Sequence, residues 1–288
     1  MTVASLGIAL LVGCGGGEQG ATSTSTPSEP SFGELVRLFD YDQEAPIDPQ
    51  YGATTTEASA EVHDVHYPSP KGGTVTAYLV VPLQEGPYAG VVFLHWNQGN
   101  RSEFLDEAVQ LARRGVASLL LDAPWECPDF AGLAPDDMYL RQVVDARRAV
   151  DVLASRPDVD VARLGYVGHS NGAIWGGVLA GVERRIRAYV LMAGYARPSV
   201  YYRGQTNAVP SPRLDAIHYI GHAAPAALFF QFGTRDFSIS EAAAMEFYDA
   251  ASEPKFIGWY DIGHGLNEQA RLDRADWLAT QLALEPAR

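Results

Sequence analysis

The feature that most constrains this chain is Gly168-His169-Ser170-Asn171-Gly172. It follows Arg163-Leu164-Gly165-Tyr166-Val167 and precedes Ala173-Ile174-Trp175-Gly176-Gly177-Val178-Leu179-Ala180. An apolar run, then Gly-x-Ser-x-Gly, then small apolar residues predicts a strand, a sharp turn and a helix. The two glycines let the backbone turn so tightly that the serine is held strained, its hydroxyl projecting at the strand's C-terminal end. At a helix N-terminus the same serine sits where partial positive charge favours developing negative charge.

The surrounding chain alternates short β-branched runs with amphipathic stretches, which argues for βαβ units and a mostly parallel sheet. Residues 62–67 and 74–81 read as opening strands around a Pro-Lys-Gly-Gly turn. Residues 90–95 and 116–121 are near-continuous apolar runs, as buried parallel strands should be. Between them a helix is expected from Ser102, its cap, to Arg114, with Gly115 as its stop. A longer helix is expected from Asp136 to about Ser155, with Val143, Val144, Ala146, Val150 and Leu153 on its apolar side. Residues 226–232 and 255–262 are the late strands. One domain spans 32–288, with no internal repeat, and a chain of this size buries roughly three quarters of its unfolded surface without needing disulfides.

A serine hydroxyl is a weak nucleophile at neutral pH and needs a base held by a third group. Asp236 follows one late strand and His264 follows the next, so both fall on the sheet edge that carries Ser170. Their order in the chain, serine then acid then histidine, is the order expected of a fold that carries its nucleophile on such an elbow. Asp122 follows an earlier strand and reads as a structural carboxylate. Asp261 falls inside a predicted strand. His169 reads as a packing and hydrogen-bonding neighbour of the serine. His218 and His222 are four apart but have no evident third ligand, and His63 and His66 face opposite sides of a strand. No metal site is expected.

From about Val62 to the C-terminus these motifs resemble the α/β-hydrolase superfamily. Pro157-Asp158-Val159-Asp160-Val161-Ala162-Arg163-Leu164-Gly165 before the elbow resembles dienelactone-hydrolase-like and acetyl-xylan-esterase-like proteins, with some kinship to prolyl-oligopeptidase-type domains. Dienelactone hydrolases carry cysteine in the elbow; Ser170 favours a serine esterase instead. The resemblance implies an α/β fold: a mostly parallel, doubly wound sheet flanked by helices, with a small cap insertion between late strands. It implies cleavage of a small-molecule carboxylic ester through an acyl-enzyme on Ser170, with Asp236 and His264, and no cofactor. A serine exopeptidase or amidase of the same fold, and a non-catalytic binding protein on this scaffold, are the alternatives.

The resemblance also implies an oxyanion hole built from the backbone N–H groups of Asn171 and Asn97. Asn97 lies in His95-Trp96-Asn97-Gln98-Gly99-Asn100, where Trp96 replaces the usual glycine. The cap segment, residues 195–225, is rich in Tyr, Pro and Arg. Tyr195, Tyr201, Tyr202 and Tyr219 either line a substrate pocket or pack the cap, and Trp96 and Trp125 are further substrate-binding candidates.

Leu11-Val12-Gly13-Cys14, after an apolar run too short to span a bilayer, looks like a bacterial lipobox with Cys14 as the lipidated residue. No Lys or Arg precedes that run. Residues 1–14 then form a signal segment and 15–31, without a large apolar residue, a flexible tether. The expectation is an exported protein that meets a membrane only through Cys14. Cys127, the other cysteine, is left unpaired. The net charge of −14 (21 basic against 35 acidic residues) argues against nucleic acid as a partner.

Overall fold

The computed structural model describes residues 30–124, 132–204 and 206–286. Cys14, residues 15–29 of the expected tether, Trp125 and Cys127 lie outside the described residues. The apolar runs form the centre of a nine-stranded sheet. In chain order the strands are β1 (Gln50–Thr56), β2 (Ala60–Pro68), β3 (Thr74–Pro82), β4 (Tyr88–Leu94), β5 (Val116–Leu121), β6 (Val159–His169), β7 (Ile186–Met192), β8 (Ala227–Gly233) and β9 (Lys255–Tyr260). Their spatial order is β1-β2-β3-β5-β4-β6-β7-β8-β9. Strands β4 to β9 pair in parallel, while β1, β2 and β3 form an antiparallel opening that joins the rest through β3 and β5. Every residue of β4, β5 and β8 is buried, as strands covered on both faces must be.

The helices are α1 (Phe32–Arg37), α2 (Leu105–Ala112), α3 (Pro135–Ala154), α4 (Asn171–Val182), α5 (Pro198–Tyr201), α6 (Glu241–Ala250) and α7 (Glu268–Gln281). One face of the sheet packs with α3, α4 and α6 through residues such as Val143, Val150, Ile174, Val178 and Phe247. The other face packs with α2 and α7 through Phe104, Leu111 and Leu278. Burying both faces this way leaves the strand ends as the places where side chains can meet a ligand.

Several expectations shift. Strand β1 is exposed at every position, so no alternation marks it in the sequence; it forms because β2 offers an unpaired edge. Helix α2 begins at Leu105 without a side-chain cap. Ser102 does not cap it; its hydroxyl donates to Asn100 Oδ1 at 2.6 Å instead, a local bond that competes with the helical turn. Asp261 lies just past β9, exposed, with Arg235 Nε 2.9 Å from its Oδ1. Ser31 belongs with the domain, closing a capping box with Glu34 at the start of α1. His218 and His222 sit in separate 3-10 turns, and the His222 ring stacks on Phe32 at 3.6 Å. The segment between β7 and β8 holds α5 and three 3-10 turns, the cap insertion the sequence implies.

Candidate active site

Ser170 sits between β6 and α4 with φ 51° and ψ −106°. For a residue with a Cβ this conformation costs on the order of 1–3 kcal/mol, so the surroundings must impose it. They do so by close approach. A Cβ on Gly172 would lie 2.1 Å from the Leu94 carbonyl oxygen, so only glycine lets the first turn of α4 press against the end of β4. Ser170 N–H donates to the Met192 carbonyl at 2.7 Å and the Ser170 carbonyl accepts from Ile174 N–H at 3.0 Å. The residue is thereby pinned to β7 on one side and to its own helix on the other.

Asp236 and His264 come together from the loops after β8 and β9. His264 Nδ1–H donates to Asp236 Oδ2 at 2.7 Å, and the Asp236 side chain is almost wholly buried. Asp236 Oδ1 also accepts from the N–H groups of Ser238 (2.7 Å) and Ile239 (3.1 Å). Burial alone would raise the carboxyl's pKa, but the bonds from His264 and from these two amides outweigh it and hold the pKa below its ordinary value. The pair is therefore a carboxylate anchored by three donors, one of them the imidazole's Nδ1–H. His169, beside the serine, reaches the same loop: its Nε2–H donates to the His264 carbonyl at 2.9 Å, and the two rings lie 5.2 Å apart.

The loop after β4 is fixed as tightly. Ala123 N–H donates to His95 Nε2 at 2.8 Å, so the ring hydrogen is on Nδ1, which donates to the Trp96 carbonyl at 2.5 Å. Because the peptide unit is planar and trans, fixing that carbonyl also fixes the Asn97 N–H on the opposite side. Trp96 N–H donates to Glu103 Oε2 at 2.9 Å, and Glu103 Oε1 accepts from His169 Nδ1–H at 2.6 Å. Glu103 has no signal in the sequence; its partner on the elbow is 66 residues away.

The cap residues divide. Tyr219 is fully buried, its hydroxyl donating to the Arg213 carbonyl at 2.7 Å, so it packs the cap. Tyr195 is buried and its ring lies 4.0 Å from that of Tyr201. Tyr201 donates to the Ser238 carbonyl at 2.5 Å, tying the cap to the Asp236 loop. Tyr202 donates to Asn171 Oδ1 at 3.3 Å, and Trp175 Nε1–H donates to the same oxygen at 2.6 Å. Burial pushes the Tyr202 hydroxyl up to about 12, so it stays a neutral donor. Asp122 accepts from Thr76 Oγ1 (2.7 Å) and Arg101 N–H (2.8 Å).

No protein-family model matches the chain. Over 130 residues it is 30% identical to polyketide transferase ATR5 of Stachybotrys chlorohalonatus (strain IBT 40285). That match takes in 45% of this chain and 43% of the relative, so the chain spans less than half of that protein's length. Among solved structures, acetyl xylan esterase 1 from Thermoanaerobacterium sp. JW/SL YS485 superposes with a TM-score of 0.75 at 16% identity, over 87% of this chain and 93% of the other. The acetyl xylan esterase from Paenibacillus sp. R4 gives a TM-score of 0.74 at 19% identity, over the same shares. The chain has the α/β-hydrolase fold. The glucuronoyl esterase from Solibacter usitatus shares it, with a TM-score of 0.66 at 12% identity over 87% of this chain and 91% of the other. Within this α/β-hydrolase fold, Ser170, Asp236 and His264 each follow the C-terminal end of a strand on one edge of the sheet.

Proposed function

We propose that the protein is a serine hydrolase that cleaves carboxylic esters through an acyl-enzyme. The observation that carries this reading is the hydrogen-bonded Asp236–His264 pair, whose loop is bonded through the His264 carbonyl to His169, the residue next to Ser170. Ser170 Oγ attacks the acyl carbonyl while His264 Nε2 takes its proton, and Asp236 stabilises the imidazolium that forms. The tetrahedral oxyanion is met by the backbone N–H groups of Asn171 and Asn97, and each such donor lowers the barrier by about 3–4 kcal/mol. His264 returns the proton to the departing alcohol, then activates a water that releases the acid.

The esterases of the same fold support an ester over another acyl derivative. Trp96 and Tyr202, both partly exposed, are the side chains we place against the substrate, with Tyr195 supporting Tyr202 from beneath. Trp125 completes this set on its sequence position alone. Ahead of the hydrolase domain, we propose export and lipidation at Cys14, supported by the Leu11-Val12-Gly13-Cys14 sequence and the polar stretch that follows.

The test is to treat the protein with a fluorophosphonate and measure its intact mass, with Ser170→Ala as control. One adduct in the wild type and none in the variant is expected, with turnover of a p-nitrophenyl ester but not the matching anilide. A folded wild type that takes no adduct would overturn the reading. For the anchor, expression with an alkyne-tagged fatty acid should label the wild type and leave Cys14→Ala unlabelled; equal labelling of the two would remove Cys14 from this role.

A further inference from the structure

We infer that Glu103 and His169 work as a single positioning pair that locks two parts of the catalytic machinery, the loop of Asn97 and the loop of His264, to one another. The inference rests on the ester-hydrolase reading above and assigns to this site two residues that touch neither substrate nor reacting atoms.

His169 Nε2 faces the His264 carbonyl at 2.9 Å, and a carbonyl only accepts, so Nε2 carries hydrogen. His169 Nδ1 faces Glu103 Oε1 at 2.6 Å, an ion-pair distance between side chains only 8% and 19% exposed. The other carboxylate oxygen, Oε2, accepts from Trp96 N–H at 2.9 Å. One carboxylate thus holds the backbone immediately before Asn97, and through one imidazole it holds the backbone of the base itself. Shielded from water, such charge-assisted bonds are short and directional.

The site is built for this contact. A Cβ on Gly99 would lie 2.5 Å from the Trp96 ring and 2.8 Å from Glu103 Oε2, so only glycine there lets the indole and the carboxylate converge. The Trp96 ring in turn lies 6.1 Å from His169 and 6.4 Å from His264, near parallel to the first. His95 fixes the Trp96 carbonyl from the opposite side. The Trp96 backbone is therefore held at both its N–H and its C=O, and only the N–H hold depends on Glu103.

Positioning of this kind acts on the chemical step. A misplacement of about 1 Å at the reacting centre costs on the order of 100-fold in rate, whereas the ester is bound by other side chains. Loss of the pair should lower kcat and leave KM nearly unchanged. The bonds, not the net charge, are what matter. In Glu103→Gln the amide oxygen can accept from Trp96 N–H while the amide N–H donates to Nδ1, and Nε2 keeps its hydrogen for the His264 carbonyl. All three bonds survive with a neutral ring.

The experiment is steady-state hydrolysis of p-nitrophenyl acetate by the full chain and by Glu103→Ala, Glu103→Gln, His169→Phe and Ser170→Ala, with the folded fraction measured by circular dichroism. Glu103→Ala and His169→Phe should each lose about 10- to 100-fold in kcat, with KM within about twofold. Glu103→Gln should recover to within about fivefold of wild type. Wild-type kcat in folded Glu103→Ala and His169→Phe would overturn the inference, as would an effect confined to KM, or a Glu103→Gln loss equal to that of Glu103→Ala. If Glu103→Ala does not fold, His169→Phe and Glu103→Gln decide the matter by the same criteria. A wild type no more active than Ser170→Ala would instead overturn the hydrolase reading itself, so the two failures are told apart.

Discussion

His264 Nδ1 lies 2.7 Å from Oδ2 of Asp236, whose other oxygen accepts two backbone N–H groups. Three donors converge on a carboxylate that water barely reaches, so the imidazole is held in one tautomer and one orientation. Asp236→Asn keeps the shape but turns an N–H group or a weaker acceptor toward Nδ1, which favours the wrong tautomer. We expect kcat to fall by about 10³- to 10⁴-fold while the fold is retained. Steady-state kinetics beside a circular dichroism spectrum checks this; a loss smaller than tenfold would remove Asp236 from the role of orienting acid.

The strained Ser170 separates activity from stability. Ser170→Ala removes the nucleophile but keeps a Cβ at φ 51°, so its stability should match that of the wild type. Ser170→Gly is equally inactive yet relieves the strain, and it should unfold about 1 kcal/mol later than Ser170→Ala in urea. Equal midpoints for the two variants would mean that the elbow carries no such strain.

Asn171 should act through its backbone in catalysis and through its side chain in stability. Its buried Oδ1 accepts from Trp175 Nε1 at 2.6 Å and from Tyr202 at 3.3 Å. Asn171→Ala leaves the buried indole N–H without an acceptor, a cost of about 1–3 kcal/mol, but keeps the backbone amide that we propose for the oxyanion. Thermal denaturation should show the lower stability, and kcat should fall by less than about tenfold. A loss as deep as that of Ser170→Ala would assign the side chain a direct part in the reaction.

The buried Asp145 predicts a stability that declines with pH. Burial raises its pKa to about 7, against the Ser69 hydroxyl bonded at 2.5 Å and the Arg141 guanidinium at 3.3 Å. The folded state therefore binds this proton more tightly than the unfolded chain, where the group titrates near the ordinary carboxyl value of 3.8. Its stabilising contribution is complete below about pH 4 and is lost as pH rises through about 7, a change of up to about 4 kcal/mol. Asp145→Asn cannot titrate, so relative to the wild type it should gain stability between pH 4 and pH 8. Urea midpoints across that range give the difference, and parallel curves for the two proteins would refute it.

The site was legible where local sequence sets local geometry. Gly168, Ser170 and Gly172 between an apolar run and a small-residue run specify the elbow, and Asp236 and His264 stand out because each follows an apolar strand. The elements that escaped notice lack any local signature. Strand β1, exposed at every position, shows no alternation; Ser102 looks like a cap until Asn100 takes its hydroxyl. Tyr195, Tyr202 and Tyr219 look alike in sequence, and only packing separates the fully buried Tyr219 from the partly exposed Tyr202.

By itself the sequence determined the alternation of strands and helices, the mostly parallel sheet and the placing of Ser170, Asp236 and His264 just past strand ends, because periodicity and turn chemistry act over a few residues. The tertiary structure decided how those residues are held. Glu103 meets His169 across 66 residues, His169 meets the His264 carbonyl across 95, and Tyr201 ties the cap to Ser238 across 37. Contacts at such separations depend on which strand ends the sheet brings side by side, and no local pattern in the chain encodes that.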